Sequence, residues 1–283
     1  MNIRWLIILF LITSFSLFLY SQNKWISVTH FTHSSPSIPE AFHGFKILHL
    51  SDFHNTSFGQ DNKQLMSKVS DSNPDIIFIT GDTIDRRRPN IERALQFLRD
   101  MEEIAPVYMV LGNHEGWSNK LPEFLEGIDK TSVTLLRNDS RPLEIEGESI
   151  VIAGIDDPSL LKPEFSKKHW RKQTYKTSID PILSNLDPEL FTVLLSHRPE
   201  SFKSLAKYDF DLMLSGHAHG GQIRLPFIGG LFSPNQGFFP EFTEGKHTVN
   251  NQTLIISRGL GNSIFPFRVF NRPEIIIIEL DSN

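Results

Sequence analysis

The stretch Ile76-Ile77-Phe78-Ile79-Thr80-Gly81-Asp82-Thr83-Ile84-Asp85 decides the reading of this chain. Ile76 to Ile79 shows no polar alternation, the pattern of a strand buried on both faces in a parallel sheet. A glycine at the strand end lets the backbone turn sharply. It carries the next carboxylate, Asp82, to the carboxyl edge of the sheet, where open α/β sheets build their sites. Gly-Asp alone is an ordinary turn pair, so its meaning depends on how the other strands end.

Working outward, Phe45 to Leu50 is apolar and ends in Ser51-Asp52-Phe53-His54, and Val107 to Leu111 ends in Gly112-Asn113-His114-Glu115. Gln60 to Ser70 and Ile91 to Met101 read as the helices between these strands, and crossovers of that kind imply parallel pairing with helices covering the sheet. After a helix at Leu121 to Ile128 the strands shorten. Leu143 to Ile145 and Ser149 to Ile155 read as a hairpin through Glu146-Gly147-Glu148. Phe191 to Ser196 ends at His197-Arg198-Pro199, and Asp211 to Leu214 ends in Gly216-His217-Ala218-His219-Gly220-Gly221. Thr253 to Ser257 and Glu274 to Leu280 read as late strands of a second sheet, and the polar stretch Asp157 to Thr177 as a surface insertion.

Five strand ends thus supply Asp52, His54, Asp82, Asn113, His114, His197, His217 and His219. Carboxylate, imidazole and amide oxygen suit divalent Mn, Fe or Zn, and a set without thiolates favours borderline or hard ions. In Asp52-x-His54 and His217-x-His219 the i, i+2 spacing lets an extended backbone present two side chains on one side. A lone Asp-x-His is commonplace, but all of these groups at strand ends, in one order, are not independent accidents.

These motifs resemble the calcineurin-like metallophosphoesterase superfamily, over about Phe45 to the C-terminus. The resemblance implies a four-layer αββα sandwich, two facing mixed sheets flanked by helices, with two divalent metals between the strand ends. It implies Asp52, His54, Asp82 and His219 on the first metal and Asp82, Asn113, His197 and His217 on the second, manganese being favoured. A hydroxide shared by the two ions would attack phosphorus in line with the leaving oxygen, with no phosphoenzyme. His114, next to Asn113 but outside the ligand pattern, is the candidate for protonating the leaving group. Asp85 resembles the family residue that orients this histidine. Arg86 matches an arginine that contacts phosphate in related phosphoprotein phosphatases, although Arg87 stands where a glycine is usual. Arg198 is a second candidate substrate contact. The alternative for Arg86 to Arg88 is a solvated surface cluster.

Composition bounds the rest. The 283 residues, 39% hydrophobic, are enough for one large domain, and a net charge of -5 without a basic stripe argues against a nucleic-acid partner. No cysteine is present, which removes disulfides, thiolate zinc sites and cysteine nucleophiles. Trp5 to Tyr20 is uncharged and apolar apart from Thr13, Ser14 and Ser16, with Arg4 before it and Lys24 after it. Its length lies between a signal-peptide core and a full span, and without a clear small-x-small cleavage site residues 1–24 read as a membrane anchor, with a cleaved signal segment as the alternative. The charge before Trp5 favours a globular part outside the cytoplasm, Lys24 weakens that asymmetry, and the side stays open. Residues 25–44, with the polar run Ser27 to Glu40, read as a tether to a domain spanning 45–283. Nothing in the sequence selects an oligomeric state.

The runs Gly216 to Pro226 and Ser257 to Gly261 resemble bacterial membrane-associated members of the superfamily, among them enzymes similar to UDP-2,3-diacylglucosamine pyrophosphatase of lipid A synthesis. That resemblance implies a phosphorylated, lipid-linked substrate. The alternatives are a general extracytoplasmic phosphodiesterase and a tethered binding module that has lost its chemistry. Phe227, Phe232, Phe238, Phe239, Phe242, Phe265, Phe267 and Phe270 follow the last motif. Burial in the core is the ordinary expectation for them, and an acyl-chain groove or a bilayer surface is the alternative.

Overall fold

Strand alternation sorts the apolar residues into three layers of packing. On β2 (Lys46–Leu50) the neighbours Ile47 and Leu48 point to opposite faces and join different buried clusters. The same split separates Phe78 from Ile79 on β3 (Ile76–Thr80). Ile47, Phe78 and Ile276 meet Ile152, Val193, Leu214 and Ile255 in a layer between two sheets. The opposite face of the first sheet packs on α2 (Lys63–Asp71), α3 (Ile91–Glu102) and α5 (Leu121–Ile128) through Leu65, Ala94, Leu98 and Phe124. The outer face of the second sheet packs on α6 (Lys168–Leu183) and α7 (Phe202–Leu205) through Ile179, Leu183, Phe202 and Leu205. Each large side chain removed from water in this way contributes roughly 1.5–3 kcal/mol before the entropy of ordering it is subtracted. The result is helix, sheet, sheet, helix, as expected.

This computed structural model describes residues 2–161, 168–262 and 265–283, with backbone alone for 168–174. The first sheet adds β1 (Ser27–Ser34), β4 (Val107–Val110), β5 (Thr134–Leu135) and β16 (Glu274–Asp281), in the order β1-β16-β2-β3-β4-β5. The second comprises β6 (Asp139–Ile145), β7 (Glu148–Gly154), β8 (Thr192–Leu195), β9 (Leu212–Ser215), β14 (Gly245–Val249) and β15 (Gln252–Ile256), in the order β14-β15-β9-β8-β7-β6. β2, β3 and β4 are parallel neighbours, as are β7, β8 and β9. The carboxyl ends of all the motif-bearing strands therefore open on one edge. Two short ribbons, β10 (Arg224–Leu225) with β11 (Gly229–Gly230) and β12 (Phe232–Ser233) with β13 (Gly237–Phe238), follow the last motif.

Several expectations are corrected. Residues 27–34 are not tether: β1 pairs in parallel with β16 over its whole length. It is an edge strand whose uncovered face carries Val28, His30, Thr32 and Ser34, and a strand with so little apolar patterning reads as a linker. β16 belongs to the first sheet, antiparallel to β2, so the last strand returns between β1 and β2. The helix expected from Gln60 begins as a short 3-10 turn, and regular α-helix starts at Lys63, after left-handed Asp61 and Asn62. The stretch read as a surface insertion starts with buried Asp157 and Ser159 and continues into α6, while its residues 162–167 fall outside the described residues. Of the phenylalanines after the last motif, Phe242 is buried, whereas Phe227, Phe232, Phe238, Phe239, Phe265, Phe267 and Phe270 are exposed. They sit on two-residue ribbons and loops that no second layer covers.

Candidate active site

The loops at the shared edge hold an unusual backbone. Asp52, His54, Asp82, His217 and His219 all lie at positive φ, between 46° and 64°. L-residues adopt that region rarely, and such strain persists only where the surroundings over-determine it. The paired side chains of Asp52-x-His54 and His217-x-His219 therefore converge through left-handed turns and not along extended strands. Asp52 N donates to Gly81 O at 3.0 Å and His54 N to Asp82 O at 3.0 Å, so pairing continues past the ends of β2 and β3. Two glycines allow the close approach. A Cβ on Gly81 (φ +88°) would lie 2.5 Å from the amide nitrogen of Gly112, and one on Gly216 would lie 2.2 Å from Asp52 Oδ2.

Three groups of ligand atoms form there among the described residues, of which His54, Asp85 and His114 are one and the other two share a residue. Of those two, one is Asp52, His54, Asp82 and His219, the other Asp82, His197 and His217, and all of their members are buried. Asp82 belongs to both. His219 Nε2 lies 3.2 Å from Asp52 Oδ1 and 3.2 Å from His54 Nε2. His197 Nε2 lies 3.3 Å from Asp82 Oδ2, 3.1 Å from Asn113 Oδ1 and 3.2 Å from His217 Nδ1. The other nitrogen of His197, Nδ1, donates to the Thr80 carbonyl at 2.7 Å, which holds Nε2 toward Asp82.

The electrostatics show which charges the cluster favours. Burial alone would raise the Asp52 and Asp82 carboxyls, yet both are held below the usual carboxylate range by the histidines around them, His219 foremost for Asp52 and His197 for Asp82. In return His197, which burial would push down, is raised to about 10 by Asp82, Asp52 and Asp157, and His54 is raised by Asp52 and Asp82. Burial wins at His219, lowered to about 3, and at His217. Two buried carboxylates thus demand positive charge, which raised His54 and His197 supply while donating to lowered His219 and His217, and which two divalent ions would supply in their place. Donors of this kind, with oxygen and nitrogen only, fit two divalent metals.

His114 is buried beside His54, with ring centroids 4.4 Å apart. Its Nδ1 accepts the Arg86 backbone N–H at 3.2 Å, so the neutral ring carries its proton on Nε2. Burial lowers it to about 4, against the pull of Asp82 and Asp85. Asp85 stands 4.0 Å from His114 Nδ1, while its other oxygen accepts the N–H groups of Arg87 and Arg88 at 2.7 and 3.0 Å. It holds the turn that presents the Arg86 N–H. The Arg86 guanidinium lies over the Trp117 ring, 4.5 Å from its centre. Arg198 is otherwise engaged: it donates to buried Asp157 through Nε at 2.5 Å and Nη2 at 3.1 Å, which turns its fork into the protein and braces the His197 loop.

Three neighbours were not singled out from the sequence. Glu115 accepts the backbone N–H groups of Asp82, Ile84 and Gly112 at 2.9, 3.0 and 2.8 Å, tying two of the loops together. Burial and the Asp82 charge raise it to about 7 despite those donors. Fully buried Arg268 stands 3.5 Å from His219 Nδ1, and Asn235 Nδ2 lies 3.0 Å from His217 Nε2. Glu115 carried a signal, as part of Gly112-Asn113-His114-Glu115. Arg268 and Asn235 sit in loops with no pattern to mark them.

Two mixed sheets face to face, with aspartates and histidines converging at the carboxyl edge of their parallel strands, define a dinuclear metal hydrolase. The family model described as calcineurin-like phosphoesterase matches residues 45–221, more than half of the chain, and the chain belongs to that family. It is 31% identical over 268 residues to the uncharacterized metallophosphoesterase YkuE of Bacillus subtilis, covering 93% of this chain and 88% of that protein. It is 26% identical to phosphodiesterase YaeI of Escherichia coli, over 83% of this chain and 82% of that one. A dimetal phosphatase from Danio rerio shares the fold, with a TM-score of 0.50 at 13% identity over 77% of this chain and 88% of that chain. The protein is a hydrolase acting on phosphoric ester bonds.

Proposed function

We propose that this enzyme hydrolyses a phosphate ester or diphosphate bond in a substrate held at a membrane. The observation that carries the reading is the pair of buried ligand groups sharing Asp82. Asp52, His54, Asp82 and His219 hold one divalent ion and Asp82, Asn113, His197 and His217 the other, with manganese favoured over iron and zinc. Bound there, two divalent ions supply an activated water and neutralise charge on the phosphoryl oxygens. The chain's own residues do the rest. Thr80 sets the tautomer of His197, and Glu115 fixes the Asp82 loop through three backbone amides. His114 protonates the departing oxygen from its imidazolium form, charged on Nδ1 beside Asp85, losing the Nε2 proton and returning to the neutral ring, with Asp85 as the positioning residue that secures the turn behind it. Arg86, on the rim over Trp117, is the phosphate contact, and Arg198 is a brace.

The membrane part rests on α1 (Ile3–Lys24), a helix long and apolar enough to cross a bilayer. A nucleotide diphosphate-lipid such as UDP-2,3-diacylglucosamine is the substrate we favour. A general phosphodiesterase is the second reading, which the name of the Escherichia coli relative supports. A silent binding module has no such support, since each expected ligand position carries its donor. The test compares metal-stripped and Mn-, Fe- or Zn-reconstituted protein on an aryl phosphodiester, phosphomonoesters and a nucleotide diphosphate-lipid. Metal-dependent turnover, best for the lipid, is expected. Undiminished turnover by the stripped protein would overturn the mechanism, and equal turnover of lipid and aryl diester would leave the second reading.

A further inference from the structure

The end of α1 is built into the domain. Ser21 and Gln22 are buried, and Gln22 Oε1 accepts the N–H of Asn271 at 3.1 Å. Asn23 Oδ1 accepts from Asn262 Nδ2 at 2.7 Å and from the Arg268 N–H at 3.2 Å. Lys24 Nζ donates to the Ser57 carbonyl at 2.8 Å, and the Phe18 ring meets the edge of Phe270. A peptide destined for removal has no need of such contacts. They bring the helix to the same edge of the sandwich as the Asp82 centre.

Between α1 and the domain lies a cavity of about 710 Å³. Leu19, Tyr20 and Lys24 form its helix side, and His54, Arg93 and Phe267 are among the residues opposite. His54 also belongs to the group around Asp82, so the cavity ends beside the candidate metal centre, with the buried His54 side chain between them. A second cavity of about 530 Å³ shares His54 and Arg93 and continues past Asp85 to Arg87 and Arg88. The two form one groove, with apolar Leu19 and Tyr20 beside polar Ser16, Asn23 and Lys24 along the helix, and Arg87, Arg88 and Arg93 with Asp85 along the floor. Lys24 and Arg93 bond backbone carbonyls, of Ser57 and Asn55, and neither has a carboxylate partner among the described residues.

Length fixes how deep the groove lies. The 22 residues of α1 span about 33 Å, barely the roughly 30 Å of a bilayer's hydrocarbon core. The part before Ser16 is only about 20 Å long, too short to cross by itself. The segment that walls the cavity must therefore sit inside the outer part of the bilayer, with exposed Phe265, Phe267 and Phe270 beside it. The groove then opens sideways into lipid and not into bulk water.

We propose that this groove admits a lipid with a phosphate headgroup directly from the bilayer, its tail along Leu19, Tyr20 and Phe267 and its headgroup on Lys24 and Arg93, which places a phosphate at His54. The proposal deepens the phosphoesterase reading and rests on it. It makes α1 a wall of the substrate site, not only an address.

The test reads binding, so its failure is distinct from a failure of hydrolysis. The full-length protein in phosphatidylcholine vesicles is photolysed with phosphatidic acid carrying a diazirine tail, and adducts are mapped by mass spectrometry. Adducts are expected on residues 16–24 and at Phe267, about tenfold more than with diazirine phosphatidylcholine, since a charge-assisted hydrogen bond is worth about one decade or more. Lys24→Gln with Arg93→Gln should lower the yield about tenfold. Leu19→Trp, which narrows the cavity and keeps both cations, should lower it as well. Adducts spread along α1 without regard to headgroup, or unchanged in both variants, would overturn the proposal. Abolition of the adducts by millimolar inorganic phosphate would assign the cations to free phosphate and overturn the lipid route.

Discussion

Buried ionisable groups occur in two contrasting arrangements in this molecule. At the carboxyl edge of the sheets Asp52 and Asp82 share one dry volume with four histidines, each shifting its neighbours. On β1, His33 is buried alone against the Phe191 ring, and neither of its ring nitrogens has a hydrogen-bond partner among the described residues. The Asp157–Arg198 pair stands between these extremes, buried and mutually satisfied. Burying charge is costly in each case, but only the cluster converts that cost into a demand for cations. Function is found where the groups share a volume; the isolated groups affect only stability.

The sharpest way to break this contrast is Asp82→Ala, which removes the one residue common to both ligand groups. Metal content measured by mass spectrometry and hydrolysis should fall together, the latter by roughly 10³ or more, because both sites lose a donor and the shared charge. Retention of one metal with substantial activity would show two independent sites in place of one shared volume. His114→Ala should lower turnover by about 10² to 10⁴ with the metals retained, and less for substrates with good leaving groups. An equal loss for good and poor leaving groups would make His114 an electrostatic contact and not a proton donor.

The intermediate case predicts a stability loss without loss of metal. Arg198→Met strands Asp157, whose carboxyl burial would raise and the Arg198 charge keeps low, and should destabilise the fold by about 3–5 kcal/mol in denaturant melts. Adding Asp157→Leu should recover much of this, since no unpaired charge then remains. If the single variant loses phosphate affinity at unchanged stability, Arg198 is a substrate contact after all.

The legibility of these regions differs for the same physical reason. The site edge was readable because parallel strands bring their carboxyl ends to one edge, so short motifs after apolar runs must meet wherever the pairing order falls. Asp82, His197 and His217 are far apart in sequence but close in consequence of that rule. β1 was hidden because an edge strand with an uncovered face, Ser-Val-Thr-His-Phe-Thr-His-Ser, carries no apolar run to mark it. The exposed phenylalanines were misread for a related reason: residue type predicts burial only where a second layer exists to do the burying. The contact of α1 with Asn262, Arg268 and Asn271 joins the two ends of the chain, and no local pattern records it.

His33 supplies the smallest effect and the cleanest control on the contrast. Burial, reinforced by the nearby Lys246 ammonium, lowers it from an ordinary 6.5 to about 4. The unfolded chain therefore takes up a proton near pH 6.5 that the folded chain refuses until about pH 4. The contribution to stability is intact above pH 6.5, shrinks as pH falls between those values and is constant below, with a full amplitude of at most about 3 kcal/mol. His33→Leu should match or exceed the parent at pH 7.5, because two unsatisfied nitrogens are gone. At pH 5 it should be ahead by a further 2 kcal/mol or so, read from melts of both proteins at each pH. His49, His114, His217 and His219 also titrate low and His54 and His197 high, so the parent's slope is not His33's alone, and the difference between the two proteins isolates it. Parallel pH profiles would mean that water or a rearranged β1 satisfies His33, and the contrast between a lone and a shared buried base would then lose its simplest member.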